Sequence, residues 1–400
     1  WLSFGKVRAS WAQVGLVTIG PYQTNLEYAL GNNHLGRPMA GISGAFGRTA
    51  TLPNQFIKPA LSTELEMGFD VRLFQNRLGI DFAYYNQETT DDIVSQTISV
   101  ATGFGATRVN VGKITNKGWE LLLNGTPIQA GDFAWDISLN LSYNKNEVVS
   151  LIDGLTELTG EEPRTRNAFI KHIVGEPYGT ITGRVQATDP NGNLVFDDQG
   201  RAVAVNDFVP IGQGVHPWGW GINNAFSFKN FNLEFLIDGK NGGDIYSGTN
   251  LRMTQGGWTE QSVQGRLGEE PLHITGVQNT GTDEAPVWTP VDRDLTPEEA
   301  ANYWGRLGDQ SNGISSAWIY DGAFVKLRSV VFGYNFPRSL LQDTPIQNLS
   351  LSFVARNLWV ISKHIDNVDP ESAYSSNGGA QGLEYFAMPA TRSYGFNLRI

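Results

Sequence analysis

The chain has 400 residues, with 40 acidic against 29 basic side chains for a formal net charge of −11, and no cysteine. These figures exclude a disulfide scaffold, a thiolate zinc site, a cysteine nucleophile and the broad basic footprint of a nucleic-acid binder. Charged residues are only 17% and aromatic ones 11%, with 46 Gly, which is too aromatic for an acidic disordered chain. No apolar run is long enough for a membrane helix. A β-barrel stays open, because alternating strands average to a soluble-looking mean hydropathy, here −0.25.

The chain opens on Trp1, without an initiator Met or a leader, in a segment that reads as strand, as expected of a piece numbered from inside a larger protein. A first strand is expected at 2–14, then a long connection over 15–58. The strand at 59–73 places Leu65, Met67, Phe69, Val71 and Leu73 on one face and Glu64, Glu66, Gly68, Asp70 and Arg72 on the other. After Gln75-Asn76, the strand at 78–88 sets Leu78, Ile80, Phe82 and Tyr84 against Gly79, Asp81, Ala83 and Tyr85. A long connection at 89–112 leads to a strand at 113–125, which carries Lys117 and Glu120, and a turn at Thr126–Asp132. The strand at 133–144 is the cleanest, with Phe133, Trp135, Ile137, Leu139, Leu141 and Tyr143 against Ala134, Asp136, Ser138, Asn140, Ser142 and Asn144.

A third long connection, 145–217, precedes strands at 218–228 and 231–240 joined by Lys229-Asn230. The connection at 241–317 holds one helix start, where Thr296 is the N-cap, Pro297 opens the first turn and Glu299 takes the third position. In the strand at 318–336, Val325 and Leu327 are out of phase with Val330, Phe332 and Tyr334, so a β-bulge is expected near Arg328-Ser329. A turn at Pro337–Gln347, a strand at 348–360, a long connection at 361–390 and a strand at 391–400 finish the chain.

Alternation alone also suits a soluble sandwich. Three further features favour an antiparallel transmembrane β-barrel of about ten strands. The apolar faces run without a charge for roughly the length that crosses an apolar band. Aromatics such as Phe133, Trp135, Phe226, Phe228 and Phe231 gather beside turns, where a membrane interface draws rings. Long and short connections alternate strictly, as in barrels with long extracellular loops and short periplasmic turns. Glu64, Glu66, Asp70, Arg72, Asp81, Glu120 and Asp136 then face the lumen, with Arg72 and Lys117 as counter-charges.

Sites for chemistry are sparse. Asp189-Pro190-Asn191-Gly192-Asn193 has oxygens at alternate positions, but Leu194 stands where a calcium loop needs Gly, so it reads as a turn. His34, His172, His216, His273 and His364 are isolated, and the Gly-rich runs Gly41–Gly47 and Gly239–Gly248 read as loops. Asp369-Pro370-Glu371 offers two carboxylates with no acid/base setting around them. The loop aromatics Trp218, Trp258, Trp288, Tyr303 and Trp304 are candidates for substrate or lid contact, since rigid rings stack on sugars and anchor protein contacts. Packing within their own loops is the alternative role.

Several stretches in order carry a resemblance: Phe4–Gly15, Asn110–Glu120, Lys229–Leu233 with Asp238–Ile245, Phe324–Arg328 leading to Gly333–Pro337, Ala355–Leu358, Asp369–Glu371 and Pro389–Arg392. The chain resembles, over essentially its whole length, the C-terminal part of the SusC/RagA family of TonB-dependent outer-membrane transporters of Bacteroidetes. The resemblance implies an outer-membrane barrel of about 22 strands around a plug, to which residues 1–400 contribute the C-terminal strands, without plug or N-terminal domain. It also implies a SusD-like surface lipoprotein and the TonB energising complex as partners, outer-membrane lipid around the wall, and an oligosaccharide or oligopeptide as cargo, with no cofactor and no covalent chemistry. Tyr394, Phe396, Leu398 and Ile400 resemble the family's terminal assembly signal, except that Ile replaces the usual final aromatic. A self-closed outer-membrane hydrolase using loop acids and His, and a secreted glycan-binding β-protein, are the competing expectations.

Overall fold

The computed structural model describes residues 1–17, 19–20, 23–26, 28–32, 38–42, 51–152, 154–160, 167–268, 270–342, 344–373 and 380–400. Ten strands form one antiparallel meander in chain order: β1 (Leu2–Leu16), β2 (Ala60–Leu73), β3 (Leu78–Thr97), β4 (Ala106–Ala130), β5 (Phe133–Ser150), β6 (Trp218–Phe228), β7 (Phe231–Asn241), β8 (Phe324–Asn335), β9 (Ser350–Lys363) and β10 (Ser393–Arg399). Each strand pairs with its sequence neighbours, as a barrel wall requires. Among the described residues β1 and β10 are each paired on one side only.

The register confirms the two faces. Phe69 pairs with Phe82, Tyr84 with Trp119, Trp119 with Tyr143, and Leu123 with Leu139. Rings pack from strand to strand on this apolar face, running Phe69, Phe82, Trp119, Tyr143 and Trp218. Nearer the short turns, Phe226 lies between Trp135 at 5.7 Å and Phe235 at 6.0 Å. The interval from Phe133 to Tyr143 matches the roughly 9–11 residues a tilted strand needs to span the hydrocarbon. A polar side chain on this face must be satisfied within the protein: Asn224 is buried and accepts from Trp135 Nε1 at 3.2 Å.

Several expected boundaries move. The turn expected at Thr126–Asp132 shrinks to Gly131-Asp132 because β4 runs to Ala130, and β5 runs on to Ser150 into the connection expected from 145. The connection expected at 89–112 is mostly sheet, because β3 runs 20 residues and β4 runs 25. Beyond the membrane band a strand needs no unbroken apolar face, so β-branched residues such as Thr89, Thr90, Ile93 and Val94 keep it extended without alternation. The segment expected as one strand from 318 is divided. Ile319–Asp321 pairs with Asp244–Ser247 in a separate sheet, and the wall strand begins at Phe324. The Gly239–Gly248 run is not merely loop either: it holds that strand and the start of helix α1 (Gly248–Gln255), whose N-cap Ser247 accepts from the Asn250 amide.

The expected helix is present as α2 (Pro297–Leu307), with its capping box complete between Thr296 and Glu299. Arg293 donates to Glu299 at 2.8 and 2.9 Å, and this pair with the cap amide holds the Glu299 carboxyl down at about 2. The bulge also falls where the phase shift placed it. Ser329 pairs with Leu236 and Leu327 with Ile237, leaving Arg328 as the extra residue.

Polar and Gly-rich as they are, the long connections fold. Ala168, Ile170 and Ile181 between β5 and β6, Tyr246, Leu251, Trp304 and Trp318 between β7 and β8, and Leu383 between β9 and β10 share one buried core. A second cluster, Ile114, Val148, Leu151 and Leu158, joins this loop domain to the tops of β4 and β5. Glu384 is fully buried and ties the β9–β10 connection to the segment that opens α1, accepting from Ser247 Oγ at 2.8 Å and Thr249 Oγ1 at 2.5 Å.

Candidate functional site

The polar face of the sheet is built by the same register. Glu66 is level with Tyr85, Gly118 and Asn144, and Asp70 with Asp81, Leu122 and Asn140. Glu64, Arg72, Glu120 and Asp136 share this face, Asp136 accepting from Thr126 Oγ1 at 2.5 Å. The main counter-charge is Arg8, a residue the sequence reading passed over. It donates to Glu66 at 3.2 Å and to Asp81, two strands away, at 2.8 Å. The period of β1, with Lys6, Arg8 and Ser10 on one side, carried the signal. Arg72 reaches Asp70 at only 4.0 Å, and Lys117 has no ion pair among the described residues.

Glycine makes the long reach of Arg8 possible. A Cβ on Gly68 would come within 2.9 Å of the Arg8 guanidinium carbon and 2.5 Å of the Phe82 carbonyl oxygen. Tyr85 lies across Gly118 in the same way and donates to Asn144 Oδ1 at 3.1 Å. Between these polar groups runs a trough of about 660 Å³, floored by Ala83, Gly219 and Gly221 and edged by Arg8, Glu120, Asp238 and Lys240.

Above the trough, the Asp369-Pro370-Glu371 segment is fastened to the wall. Lys326 and Arg328, two positions apart, share the polar face, and the bulge lets Ser329, the next residue, keep that face as well. Arg328 grips Asp238 at 2.7–3.0 Å and Glu371 at 2.8 and 2.9 Å. Lys326, 2% exposed, donates to Asp369 at 2.7 Å and Glu371 at 2.6 Å. Burial pushes the Glu371 carboxyl up, but hydrogen bonds from Arg328 and Lys326 outweigh it and hold the group at about 2. Glu371 is thus held as a charged clamp group, and Asp369 shares its Lys326 partner. Beside the clamp lies a cavity of about 340 Å³ lined by His216, Lys240, Asp244, Phe324, Glu371 and Gln381. His216 Nε2 is engaged by the Gly322 carbonyl at 3.0 Å.

The aromatic candidates separate. Trp218 is not in a loop: it opens β6 and packs against Tyr143 at 4.6 Å and edge-on to Trp119 at 5.6 Å on the apolar face. Trp304 is turned inward, 8% exposed, donating to the Gln264 carbonyl at 3.0 Å, so it holds the loop core rather than offering a ring. The strand phase of 218 and the one-sided spacing of Ala300, Trp304 and Leu307 on α2 were the available signals. Trp258 stands 73% exposed, and Trp288 and Tyr303 are half-buried.

The remaining motifs are local. Asp189 accepts from the amides of Asn191 and Asn193 at 2.9 and 2.8 Å, and Gly192 has φ of 87°, so the segment is a self-satisfied turn. His172 stacks on Tyr178 at 4.2 Å, and burial lowers its pKa to about 4. His273 lies between Asp294 and Asp292 at 2.7 and 2.8 Å, which raise its pKa. His364 is exposed, and His34 and most of Gly41–Gly47 lie outside the described residues.

An antiparallel meander with one apolar, ring-belted face, one charged face and folded loops on a single rim defines the wall of an outer-membrane β-barrel. The chain belongs to the TonB dependent receptor-like β-barrel family, whose model matches residues 1–259. It is 26% identical to TonB-dependent receptor P3 of Formosa agariphila over 99% of this chain and 39% of that protein. It is likewise 26% identical to TonB-dependent receptor SusC of Bacteroides thetaiotaomicron, over 92% of this chain and 35% of that protein. The solved structure of the RagAB peptide transporter superposes on 100% of the chain and 41% of its own with a TM-score of 0.71 at 19% identity, a likeness of fold. The chain spans about two fifths of the length of these relatives.

Proposed function

We propose that residues 1–400 are the C-terminal wall and outward loops of a SusC-like outer-membrane importer that moves an oligosaccharide or oligopeptide into the periplasm. A SusD-like surface lipoprotein delivers the cargo, and the TonB complex energises passage through the rest of the receptor. This part of the chain carries out no covalent chemistry: it supplies a charged inner wall and a rigid outer platform. The observation that carries the reading is the combination of family membership with long loops that share one hydrophobic core, which supports a preformed contact surface over a polar lumen. The lumen role of Glu64, Glu66, Asp70, Arg72, Asp81, Glu120 and Asp136 and the contact role of Trp258, Trp288 and Tyr303 belong to this proposal.

The hydrolase alternative loses its groups, since Asp369 is bound by Lys326 and His216 by a backbone carbonyl. A secreted glycan binder leaves the belted apolar face without a solvent. The test is deletion of the whole receptor gene, with growth measured on separate oligosaccharides and on peptide mixtures. Loss on one class, restored by the intact gene, is expected. Unchanged growth and unchanged uptake on every substrate would overturn the importer reading.

A further inference from the structure

On the apolar face, the pairing of β4 with β5 breaks between Gly125 and Ile128. Pro127 stands in this gap, as a residue without an N–H must. Arg77, in the turn between β2 and β3, takes up the freed carbonyls: Nε and Nη2 donate to Thr126 O at 3.2 and 2.9 Å, and Nη2 to Pro127 O at 3.0 Å. The break leaves a cleft of about 560 Å³ with Leu78, Leu123, Gly125, Ile137 and Leu139 as its walls and Phe74 and Arg77 at its mouth. That volume falls among ligand pockets, roughly 300–1,000 Å³.

The cleft faces hydrocarbon, since Leu123, Ile137 and Leu139 lie on the ring-belted face. Its mouth lies on the short-turn rim, where the inner-leaflet headgroups sit. Arg77 is exposed there, and its Nη1 has no hydrogen-bond partner among the described residues. An apolar slot ending at a free guanidinium edge matches an acyl chain ending at a phosphate. We propose that the cleft holds one glycerophospholipid of the inner leaflet, with an acyl chain along Leu123 and Leu139 and its phosphodiester on Arg77. The inference rests on the membrane placement of this face, and a lipid site that fails while Leu139→Arg still blocks assembly leaves that placement standing.

Gly125 supplies a clean test. A Cβ there meets nothing closer than the Arg77 carbonyl at 3.6 Å, so Gly125→Leu fills the slot with little backbone conflict. The full-length receptor, purified in mild detergent, is exposed in turn to phosphatidylglycerol, phosphatidylethanolamine and diacylglycerol and read by native mass spectrometry. Wild type is expected to retain one equivalent of either phospholipid at least tenfold over diacylglycerol. Arg77→Gln, which keeps an amide donor for the carbonyls, is expected to lose that preference, and Gly125→Leu to lose retention altogether. Equal retention of diacylglycerol by wild type, or full retention by Gly125→Leu, overturns the site. Should Gly125→Leu not assemble, wild type is labelled with a phospholipid carrying a photoreactive acyl chain. Labels concentrated between residues 121 and 139 support the site, and labels spread evenly over the ten strands refute it.

Discussion

At the scale of single residues, the wall works by giving adjacent positions opposite solvents. Leu139 pairs with Leu123 and Ile222, whereas Ser138 pairs with Asn124 and Asn223. Moving one position therefore exchanges hydrocarbon for a polar interior. A cation at the middle of the apolar band costs roughly 2–4 kcal/mol, while the polar side of a barrel accepts it. Leu139→Arg is accordingly expected to cut sharply the fraction of receptor assembled in the outer membrane, and Ser138→Arg to leave it near wild type. The comparison is read from folded protein per cell, and equal losses in the two variants would contradict the facing of the whole sheet. The same reasoning explains Arg8: its guanidinium lies over Gly68, keeps its charge off the apolar side and cross-links three strands.

At the scale of elements, the bulge in β8 and the buried strand under the loop domain behave differently. Deleting Arg328 removes the unpaired residue, so Leu327 and Ser329 keep their partners Ile237 and Leu236 and both faces stay in phase. Deleting Val331, inside the regular stretch, turns one end of the strand over. Assembly is expected to survive the first deletion, with the Glu371 segment loosened, and to fail in the second. Equal failure would mean that the bulge fixes the register itself. In Ala168–Ile173, the buried His172 is neutral when folded, with its pKa lowered to about 4. The unfolded imidazole takes its proton near 6.5, so between these values the unfolded state binds more protons and stability rises with pH. His172 thus costs nothing above about pH 6.5 and on the order of 3 kcal/mol by pH 4. Protection factors of the 168–183 amides, which remove the intrinsic pH dependence of exchange, are expected to fall as the pH drops through that window in wild type and to stay flat in His172→Phe; identical profiles would remove His172 from the account.

At the scale of the whole molecule, the membrane band was legible and the loops were not, for one physical reason. Lipid demands an apolar residue at every second position, and that demand prints itself on Phe133 to Tyr143 and on Leu65 to Leu73. It also made the bulge at Arg328 readable as a slip in phase. The loop core has no such period: Ile170, Tyr246, Trp304, Trp318 and Leu383 are scattered over three connections and meet only in space. The clamp of Lys326 and Arg328 on Asp369 and Glu371 is equally non-local. A ring in a long connection therefore has two opposite meanings, and burial decides between them. Trp304→Ala removes a ring 8% exposed, together with its bond to Gln264, and is expected to cost the loop domain about 3–5 kcal/mol. Trp258→Ala removes a ring 73% exposed and is expected to leave stability within about 0.5 kcal/mol while weakening capture of the surface lipoprotein or the cargo. Thermal unfolding of the purified receptor and binding to the lipoprotein expressed with it separate the two effects. Should Trp304→Ala melt like wild type, the loops do not share a core. Should Trp258→Ala bind like wild type, the outer platform makes its contacts elsewhere.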